Sequence, residues 1–413
     1  MEQKPKTAVA GNSHKQITRR RFITSAGAAA LSFTIIKPEL VRGTEANSKI
    51  ALGVIGCGER GTWIANLFNE HGGYRVVAAA DYFQDRVDAF GQEYQVDTSR
   101  RFINLSCYRK LLEQKLDAVA IISPPYFHPE QAAAAVDAGC HVYVAKPVAV
   151  DVPGCHSIAR SGGKASSSKL CFLVDFQTRA NPLFQEAIRR VHDGAIGEMA
   201  FGESSYHGNR LAVKAPPDGT PEANLRNWVF DKALSGDIIT EQNIHTLDVA
   251  SWIMNQPPVY AVGTGGRKVR TDVGDCWDHF AVLFQYPDNV GITFSSRQFN
   301  GHGAVGGIKN RVFGSLGVLE TEYGGEVLIR GNNFYRGGRT NEIYRNGAVN
   351  NIATFYENIT GKRFDNPAVA PSVRSNLVPL LGRTAAYEGR LVYWDELIKS
   401  EARLEADLKG LKA

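Results

Sequence analysis

The most constraining feature of this chain is a glycine-rich turn placed between an apolar strand and a helix. Residues 50–55 are apolar enough to predict a buried strand, and the turn Gly56-Cys57-Gly58-Glu59-Arg60-Gly61 follows directly. The first glycine allows a tight turn, the second lets backbone N–H groups approach a phosphate, and the third lets helix and strand pack closely. The pattern therefore predicts the opening strand, turn and helix of a dinucleotide-binding unit.

An acidic residue at the end of the next strand supports this prediction. Residues 74–80 predict a second strand, and Asp81 closes it, about 20 residues after the glycines, where a carboxylate can accept hydrogen bonds from the adenosine ribose. A 2′-phosphate would be repelled there, so NAD is favoured over NADP as the cofactor. The nucleotide-binding residues predicted from this unit are Gly56, Gly58, Glu59, Arg60, Gly61 and Asp81.

The first 46 residues resemble a twin-arginine export signal. Thr18-Arg19-Arg20-Arg21-Phe22-Ile23 precedes the apolar residues 25–36 and then Lys37-Pro38. The apolar stretch is too short to span a bilayer, which takes about 20 residues. We therefore expect export through the twin-arginine machinery to the periplasm, with the leader either cleaved near Ala46 or kept as a membrane anchor. A disordered basic tail is the alternative.

Export by this route has a consequence for the cofactor. The twin-arginine machinery moves proteins that are already folded, so a nucleotide can be loaded in the cytoplasm. The periplasm offers no ready pool of free NAD. We therefore expect the protein to hold NAD tightly and to regenerate it in place.

Charge and cysteine content exclude several classes of function. The formal net charge is +5, and residues 1–46 contain eight basic and three acidic residues, so the rest of the chain is close to neutral. The rest of the chain therefore lacks the excess positive charge that is typical of nucleic-acid-binding proteins. The six cysteines form no C-x-x-C pair, which argues against a zinc site; free thiols are favoured over disulfides. No metal is expected, and no later segment reaches transmembrane length.

Strand and helix signals alternate through the first half of the chain, as in a parallel sheet covered by helices. Strands are predicted at residues 116–122, 140–144 and 170–175, and a helix opens at His128-Pro129. Two loops, Ser123-Pro124-Pro125 and Ala145-Lys146-Pro147, follow strand ends, where open α/β sheets bind nucleotides. This places Ser123, Pro124, His128 and Lys146 among the predicted cofactor-binding residues.

The pattern changes after Asp175. Strands predicted at residues 261–263, 279–285 and 291–298 alternate in polarity between glycine-rich turns, which is typical of an antiparallel sheet with one covered face. Residues 332–347 predict an exposed loop or hairpin. Residues 376–387 and 393–397 predict helices that pack back on the body. The predicted fold class is α/β, divided into a leader at 1–46, a Rossmann domain at 47–175 and a second domain with a large, mostly antiparallel open-faced sheet at 176–413.

These motifs together resemble one family. The glycine turn, Ser123-Pro124-Pro125, Ala145-Lys146-Pro147, Arg179-Ala180-Asn181-Pro182 and the helix containing His245 occur in the order found in the glucose-fructose oxidoreductase, inositol dehydrogenase and MocA family. The resemblance covers nearly all of the chain after the leader. It implies hydride transfer between nicotinamide and a carbon of a sugar or polyol. It also implies a homo-oligomer, a dimer or tetramer, formed with the exposed sheet face.

The resemblance also implies roles for individual residues. Lys146 matches the lysine that contacts the substrate hydroxyl beside nicotinamide, and His245 matches the general base. Glu241 lies four residues before His245, so on one helix the two would share a face and act as a catalytic pair. Asp248 is expected to orient the His245 ring or to be an ordinary helix-face carboxylate. Packing of His245 in the core is the alternative.

Two departures from the family pattern leave the chemistry open: Ala145 replaces the usual glutamate, and Glu241 the usual aspartate. The leading hypothesis is an exported, NAD-retaining oxidoreductase acting on a sugar, sugar acid or cyclitol. The main alternative is an NAD-dependent glycoside hydrolase or lyase that uses transient C3 oxidation and elimination; a catalytically inactive sugar-binding protein is the third. The residues predicted to line the substrate pocket, each of which also suits a structural role, are Arg179, Asn181, Tyr206, His207, Arg226 and Trp228.

Overall fold

A computed structural model describes residues 49–413, and the predicted export leader lies outside the described residues. The first sheet has six parallel strands in the order β3-β2-β1-β4-β5-β6. The strand order reverses between β1 and β4, which is where open α/β sheets bind nucleotides. The strands are β1 Ile50–Ile55, β2 Tyr74–Asp81, β3 Arg101–Ile103, β4 Ala118–Ile121, β5 His141–Ala145 and β6 Phe172–Asp175.

Five helices connect these strands, and their starts follow from local sequence. Helix α4 has Pro129 in its first turn, where the missing N–H costs nothing. Helix α5 is capped by Asp151, whose side chain accepts a hydrogen bond from Gly154 N at 2.8 Å. The helices are α1 Glu59–His71, α2 Gln84–Glu93, α3 Cys107–Leu112, α4 His128–Asp137 and α5 Val152–Ser167.

The second sheet has nine strands in the order β14-β13-β12-β11-β7-β10-β9-β8-β15. All neighbours are antiparallel except β7 and β10. The two sheets together confirm the predicted fold class. The strands are β7 Met199–Gly208, β8 Tyr260–Gly266, β9 His279–Gln285, β10 Gly291–Gln298, β11 Gly307–Gly314, β12 Gly317–Glu322, β13 Glu326–Gly331, β14 Tyr335–Arg339 and β15 Val392–Tyr393.

Helices cover one face of this second sheet, and the other face is open. Alternation along the strands places Ser204 inward and Glu203 outward, with Arg311, Glu320 and Arg330 on the same exposed face as Glu203. The remaining helices are α6 Pro182–His192, α7 Pro221–Arg226, α8 Lys232–Ser235, α9 Ile238–Glu241, α10 Ile244–Met254, α11 Ile343–Thr360, α12 Val369–Glu388 and α13 Trp394–Leu397.

The C-terminal third differs from the sequence prediction in two ways. Residues 332–347 were expected to be a loop or hairpin; β14 does pair with β13, but α11 already begins at Ile343. Helix α11 then packs against the first sheet, with Ile352 and Phe355 buried in its core and Tyr74 Oη donating to Ile352 O at 3.0 Å. Asp175 therefore separates the two sheets along the chain, but C-terminal helices complete the core of the first.

All six cysteines lie in the described part of the chain, where they are free and buried. Among residues 49–413, no helix combines the length and apolar character needed to cross a membrane. No group of three or more His, Cys, Asp or Glu side chains in the same range is arranged to hold a metal ion.

Candidate active site

A cleft lies at the carboxyl ends of β1, β2 and β4. Gly56 turns the chain with a φ of +94°, and a Cβ at Gly61 would lie 1.7 Å from Gly56 O, so both positions require glycine. A Cβ at Gly58 would meet only the guanidinium of Arg86, at 3.5 Å. The cleft thus approaches the backbone of the turn closely, as a dinucleotide pyrophosphate requires.

Asp81 lines this cleft and also fastens the glycine turn. Its Oδ2 accepts a hydrogen bond from Cys57 N at 2.8 Å, and its Oδ1 accepts one from Phe83 N at 3.0 Å. Burial raises the pKa of this carboxyl. Each carboxylate oxygen keeps a second acceptor position, so Asp81 can hold the turn and still receive a ribose hydroxyl.

Arg86 is a cleft residue that the sequence reasoning missed. It lies in the first turn of α2, faces Gly58 and lines the cleft beside Asp81. Its guanidinium supplies the positive charge that a pyrophosphate needs. The available signal was its position five residues after the strand-end acid.

The two residues between the second and third glycines differ in position. Arg60 lines the cleft, donates to Asp175 Oδ2 at 2.6 Å, and lies over the rings of Trp63 and Tyr344. Glu59 does not line the cleft, because successive helix residues point about 100° apart. Its exposed side chain instead forms an ion pair with Lys214, which corrects its assignment to the cofactor site.

The loop after β4 is placed as expected, but His128 is not. Ser123 and Pro124 line the cleft, and Ser123 Oγ donates to Gln131 Oε1 at 2.6 Å. The buried His128 ring lies between two backbone carbonyls, with Nε2 2.7 Å from Ser123 O and Nδ1 2.9 Å from Pro147 O. Burial lowers the pKa of this ring to about 4. His128 therefore contacts both the Ser123 loop and the Lys146 loop but does not line the cleft itself.

Lys146 and Glu241 form the centre of a polar cluster. Lys146 follows β5, and its Nζ donates to Glu241 Oε1 at 3.0 Å and to Glu241 O at 2.6 Å. The side chains are 14% and 13% exposed. Glu241 therefore supplies Lys146 with a carboxylate partner. Ala145, the residue directly before the lysine, has no carboxylate to offer.

His245 belongs to the same cluster, but not through the predicted helix geometry. Helix α9 ends at Glu241 and α10 begins at Ile244, and His245 N donates to Gln242 O at 3.2 Å across the junction. The two residues thus lie on consecutive helices and not on one continuous face. Burial, reinforced by the charges of Lys146 and Arg60, lowers the pKa of His245 well below its ordinary value. The ring is therefore neutral at physiological pH and can accept a proton.

Aromatic residues border this cluster. Tyr323, directly after β12, has its ring centroid 5.2 Å from that of His245. Burial, together with the nearby carboxylate of Glu241, raises the pKa of the hydroxyl of Tyr206, which lies on the inner face of β7. Tyr206 therefore lies near Glu241, and its place at the substrate stays a prediction. Tyr323 was missed, because it carries no local motif and reaches the site only through the sheet.

Asp248 does not orient His245. It is fully buried, and its Oδ1 accepts a hydrogen bond from Arg179 Nε at 2.7 Å. Arg179 also donates to Ser375 Oγ at 3.0 Å and lies over the ring of Trp252. Asn181 is equally structural, since its Oδ1 caps α6 by accepting from Leu183 N at 3.0 Å. The predicted roles of Arg179 and Asn181 at the substrate, and of Asp248 beside His245, are therefore corrected to packing and capping roles.

The other predicted substrate residues lie elsewhere. Arg226 donates to Asp85 Oδ1 at 2.7 Å and lies over the ring of Phe83. Trp228 lines the nucleotide cleft. His207 is on the open face of the second sheet, where its Nε2 is 3.0 Å from Ser295 Oγ. Arg226 and Trp228 are thus at the nucleotide end, because the segment that contains them crosses to the first domain.

Family models match both sheets. The model described as "Oxidoreductase family, NAD-binding Rossmann fold" matches residues 50–169, and the "GFO/IDH/MocA C-terminal domain" model matches residues 184–320. Together the two models cover more than half of the chain. The domain that contains the glycine turn is therefore an NAD-binding domain.

Among characterised proteins, the chain is similar to inositol 2-dehydrogenase of Rhizobium meliloti, with 22% identity over 56% of this chain and 63% of that protein. Myo-inositol 2-dehydrogenase of Thermotoga maritima is 25% identical over 77% of this chain and 90% of that protein. The 2,7-anhydro-N-acetylneuraminate hydratase of Mediterraneibacter gnavus is 22% identical over 58% of this chain and 59% of that protein. In the first and third of these, the matched part is less than two thirds of the relative.

Two solved structures share the fold. The aldose-aldose oxidoreductase from Caulobacter crescentus, complexed with glycerol, has a TM-score of 0.66 and 20% identity, covering 84% of this chain and 100% of that one. GenD2 from gentamicin A biosynthesis, in complex with NAD, has a TM-score of 0.67 and 16% identity, covering 86% and 99%. At these identities the likeness concerns the fold.

Proposed function

The chain belongs to the GFO/IDH/MocA oxidoreductase family, and from this premise we propose that it is an NAD-dependent oxidoreductase acting on a hydroxyl-bearing carbon of a neutral sugar or cyclitol. The observation that carries the proposal is the cluster of Lys146, Glu241 and neutral His245 beside the Rossmann sheet. A base and a fixed cation in one cluster favour catalysis over simple sugar binding.

His245 is the general base in this proposal. Its lowered pKa keeps the ring unprotonated at neutral pH, so it can take the hydroxyl proton as the carbon loses hydride. Bound NAD supplies the hydride acceptor. In the reverse direction the protonated ring returns the proton to the carbonyl oxygen.

Lys146 stabilises the developing charge on the same oxygen. Two of its three N–H bonds are directed to Glu241, one to the carboxylate and one to the backbone carbonyl. That leaves one donor for the substrate. Glu241 is therefore a positioning residue: it fixes the ammonium and does not itself meet the substrate.

The charges around the cluster favour a neutral substrate over a sugar acid. Lys146 is paired with Glu241, Arg60 is paired with Asp175, and His245 is neutral. Each cation thus already has its own anion, and a substrate carboxylate would enter without a free counter-charge. Hydroxyl groups need only donors and acceptors, which the lysine, the histidine and Tyr206 provide.

We also propose that NAD remains bound throughout the catalytic cycle and that the protein is exported. The sequence from Thr18 to Ile23 supports export by the twin-arginine route. The carboxylate of Asp81 in the cleft supports NAD over NADP. The open face of the second sheet, with its alternating charges, is the surface proposed for a homodimer or tetramer.

A second candidate is a lyase or glycoside hydrolase that uses the same bound cofactor. In it, transient oxidation at C3 acidifies the C2 proton, elimination breaks the bond at C1, water adds, and the hydride returns to C3. The similarity to the 2,7-anhydro-N-acetylneuraminate hydratase favours keeping this candidate. In such a cycle NAD is restored within each turnover, which suits a retained cofactor.

One experiment tests the proposal and separates the two candidates. Purified protein without added NAD is mixed with free cyclitols, neutral sugars, sugar acids and aryl glycosides, and both reduced nicotinamide and released aglycone are measured. We expect reduction of the bound cofactor by neutral polyols and none by sugar acids. Aglycone release without net reduction supports the second candidate, and absence of both contradicts catalysis.

A further inference from the structure

The last residues of the chain form an extended segment against the first domain. In residues 403–409, Leu404, Ala406 and Leu408 are partly buried, whereas the charged residues between them are exposed. This alternation is the period of an extended chain with one covered face. The sequence Arg-Leu-Glu-Ala-Asp-Leu-Lys therefore specifies a segment that lies on a surface in one orientation.

Both ends of this segment are attached to the Rossmann domain. Leu404 N donates to Asp151 Oδ2 at 3.0 Å, at the start of α5. At the other end, Leu105 N donates to Lys412 O at 3.0 Å, and Lys412 N donates to Tyr82 Oη at 3.3 Å. The segment thus runs from α5 to the loops that follow β2 and β3.

Between these attachments the segment packs on the wall of the nucleotide cleft. Ala406, Leu408 and Leu411 belong to an apolar cluster that is separate from the two main cores. Several members of that cluster also line the cleft, so the segment lies directly behind residues that face the nucleotide. Those shared residues are Tyr82, Phe83, Leu105, Phe127, Leu225 and Trp228.

The wall itself comes from both domains. Leu225 and Trp228 belong to a stretch of the second domain, residues 209–230, that reaches across to the first. Ion pairs from Lys214 to Glu59 and from Arg226 to Asp85 attach it there. Exposed pairs of this kind contribute little by themselves, because water screens their charges. Apolar packing against the C-terminal segment is therefore an important part of what keeps the wall closed.

We infer that residues 404–412 are a strap that holds the wall of the nucleotide cleft closed and slows the release of NAD. The strap lies behind Leu225 and Trp228, so the wall cannot swing outward unless the strap detaches from Tyr82, Leu105 and Asp151. This inference rests on the proposed function in one respect, the retention of NAD. It adds the part of the chain that causes the retention.

The test compares exchange of bound NAD with isotopically labelled NAD, followed by mass spectrometry of the extracted nucleotide. The strap variant is Leu408→Ser with Leu411→Ser, and a chain ending at Glu401 removes the strap entirely. The matched control is Asp407→Ser with Lys409→Ser, which changes exposed side chains of the same segment. Circular dichroism and the melting temperature of the NAD-free proteins report whether each variant is folded.

We expect exchange to be at least about tenfold faster in the strap variant, since changes at one binding site act mainly on the dissociation rate. The control should exchange at the wild-type rate. Slow exchange in wild type with equally slow exchange in the folded strap variant overturns the strap and leaves retention standing. Rapid exchange in wild type overturns retention itself, and the strap with it.

Discussion

The Lys146–Glu241 pair and the Arg179–Asp248 pair each join a basic and an acidic side chain that are far apart in the sequence. Their roles nevertheless differ. Asp248 is fully buried, and Arg179 has further partners in Ser375 and Trp252. The Lys146 and Glu241 side chains remain 14% and 13% exposed, and the lysine keeps one N–H free. Because the Arg179 side chain is itself 18% exposed, the difference between the pairs lies in the acid: Asp248 is fully buried, whereas Glu241 stays accessible beside a lysine whose charge reaches His245.

The largest effect is expected from Lys146→Met. The substitution keeps much of the aliphatic volume but removes the donor to the substrate oxygen, so turnover should fall about 100-fold to 1,000-fold. NAD content and melting temperature should stay close to wild type. Steady-state kinetics on the substrate identified in the screen measure the loss. Normal turnover would mean that Lys146, like Arg179, has a structural role.

Breaking the other pair should affect stability. Asp248→Asn leaves the Arg179 guanidinium without its buried counter-charge, which should cost about 3–5 kcal/mol in urea unfolding. The rate per folded molecule should be unchanged. Asp137→Asn is the matched control, because it breaks the exposed pair with Lys164 and should cost about 0–1 kcal/mol. A fully stable Asp248→Asn protein with reduced turnover would reverse the assignment.

A smaller effect is expected from Glu241→Asp. The shorter side chain draws the carboxylate away from Lys146 Nζ, while the bond from Nζ to the backbone carbonyl of residue 241 persists. Because the ammonium is displaced and not lost, kcat should fall only about tenfold. Glu241→Gln, which keeps the length and removes the charge, shows whether position or charge matters more. An unchanged kcat in both variants would mean that Glu241 does not position the lysine.

The smallest effect concerns pH. A base must be unprotonated, and the pKa of His245 is lowered, so the acid limb of kcat/KM should lie below pH 6.5, near which an ordinary histidine titrates. In Lys146→Met a nearby positive charge is gone, so the His245 pKa should rise while remaining depressed by burial. Titration of the ring by NMR follows it directly. An acid limb at or above pH 6.5 in the wild type would contradict a base that is neutral at physiological pH.

The sequence predicted the nucleotide half of the site more completely than the catalytic half. Gly56, Gly58, Gly61 and Asp81 act through local geometry, and short-range patterns encode such geometry. The link from Lys146 to Glu241 joins residues 95 positions apart, and no local pattern shows that Glu241 would replace the carboxylate missing at Ala145. Asp248 was misassigned because helical spacing from His245 gives no information about Arg179, its actual partner.

The boundaries of the fold show the same limit. The predicted strand at residues 50–55 matches β1 at both ends, because an apolar run between polar residues is a strong local signal. Helix α11 was missed altogether, since it begins among polar, glycine-containing residues that have weak helical propensity. Packing of this helix against the first sheet stabilises it, and packing is a tertiary effect. The C-terminal strap was missed for the same reason.

The central claim is that His245 is the base and not a packed core residue. The most direct test is the single-turnover rate at which the substrate reduces the bound cofactor in His245→Asn, compared with wild type. We expect a rate lower by about a hundredfold or more, with full NAD content and an unchanged melting temperature. A wild-type rate combined with a lower melting temperature would contradict it.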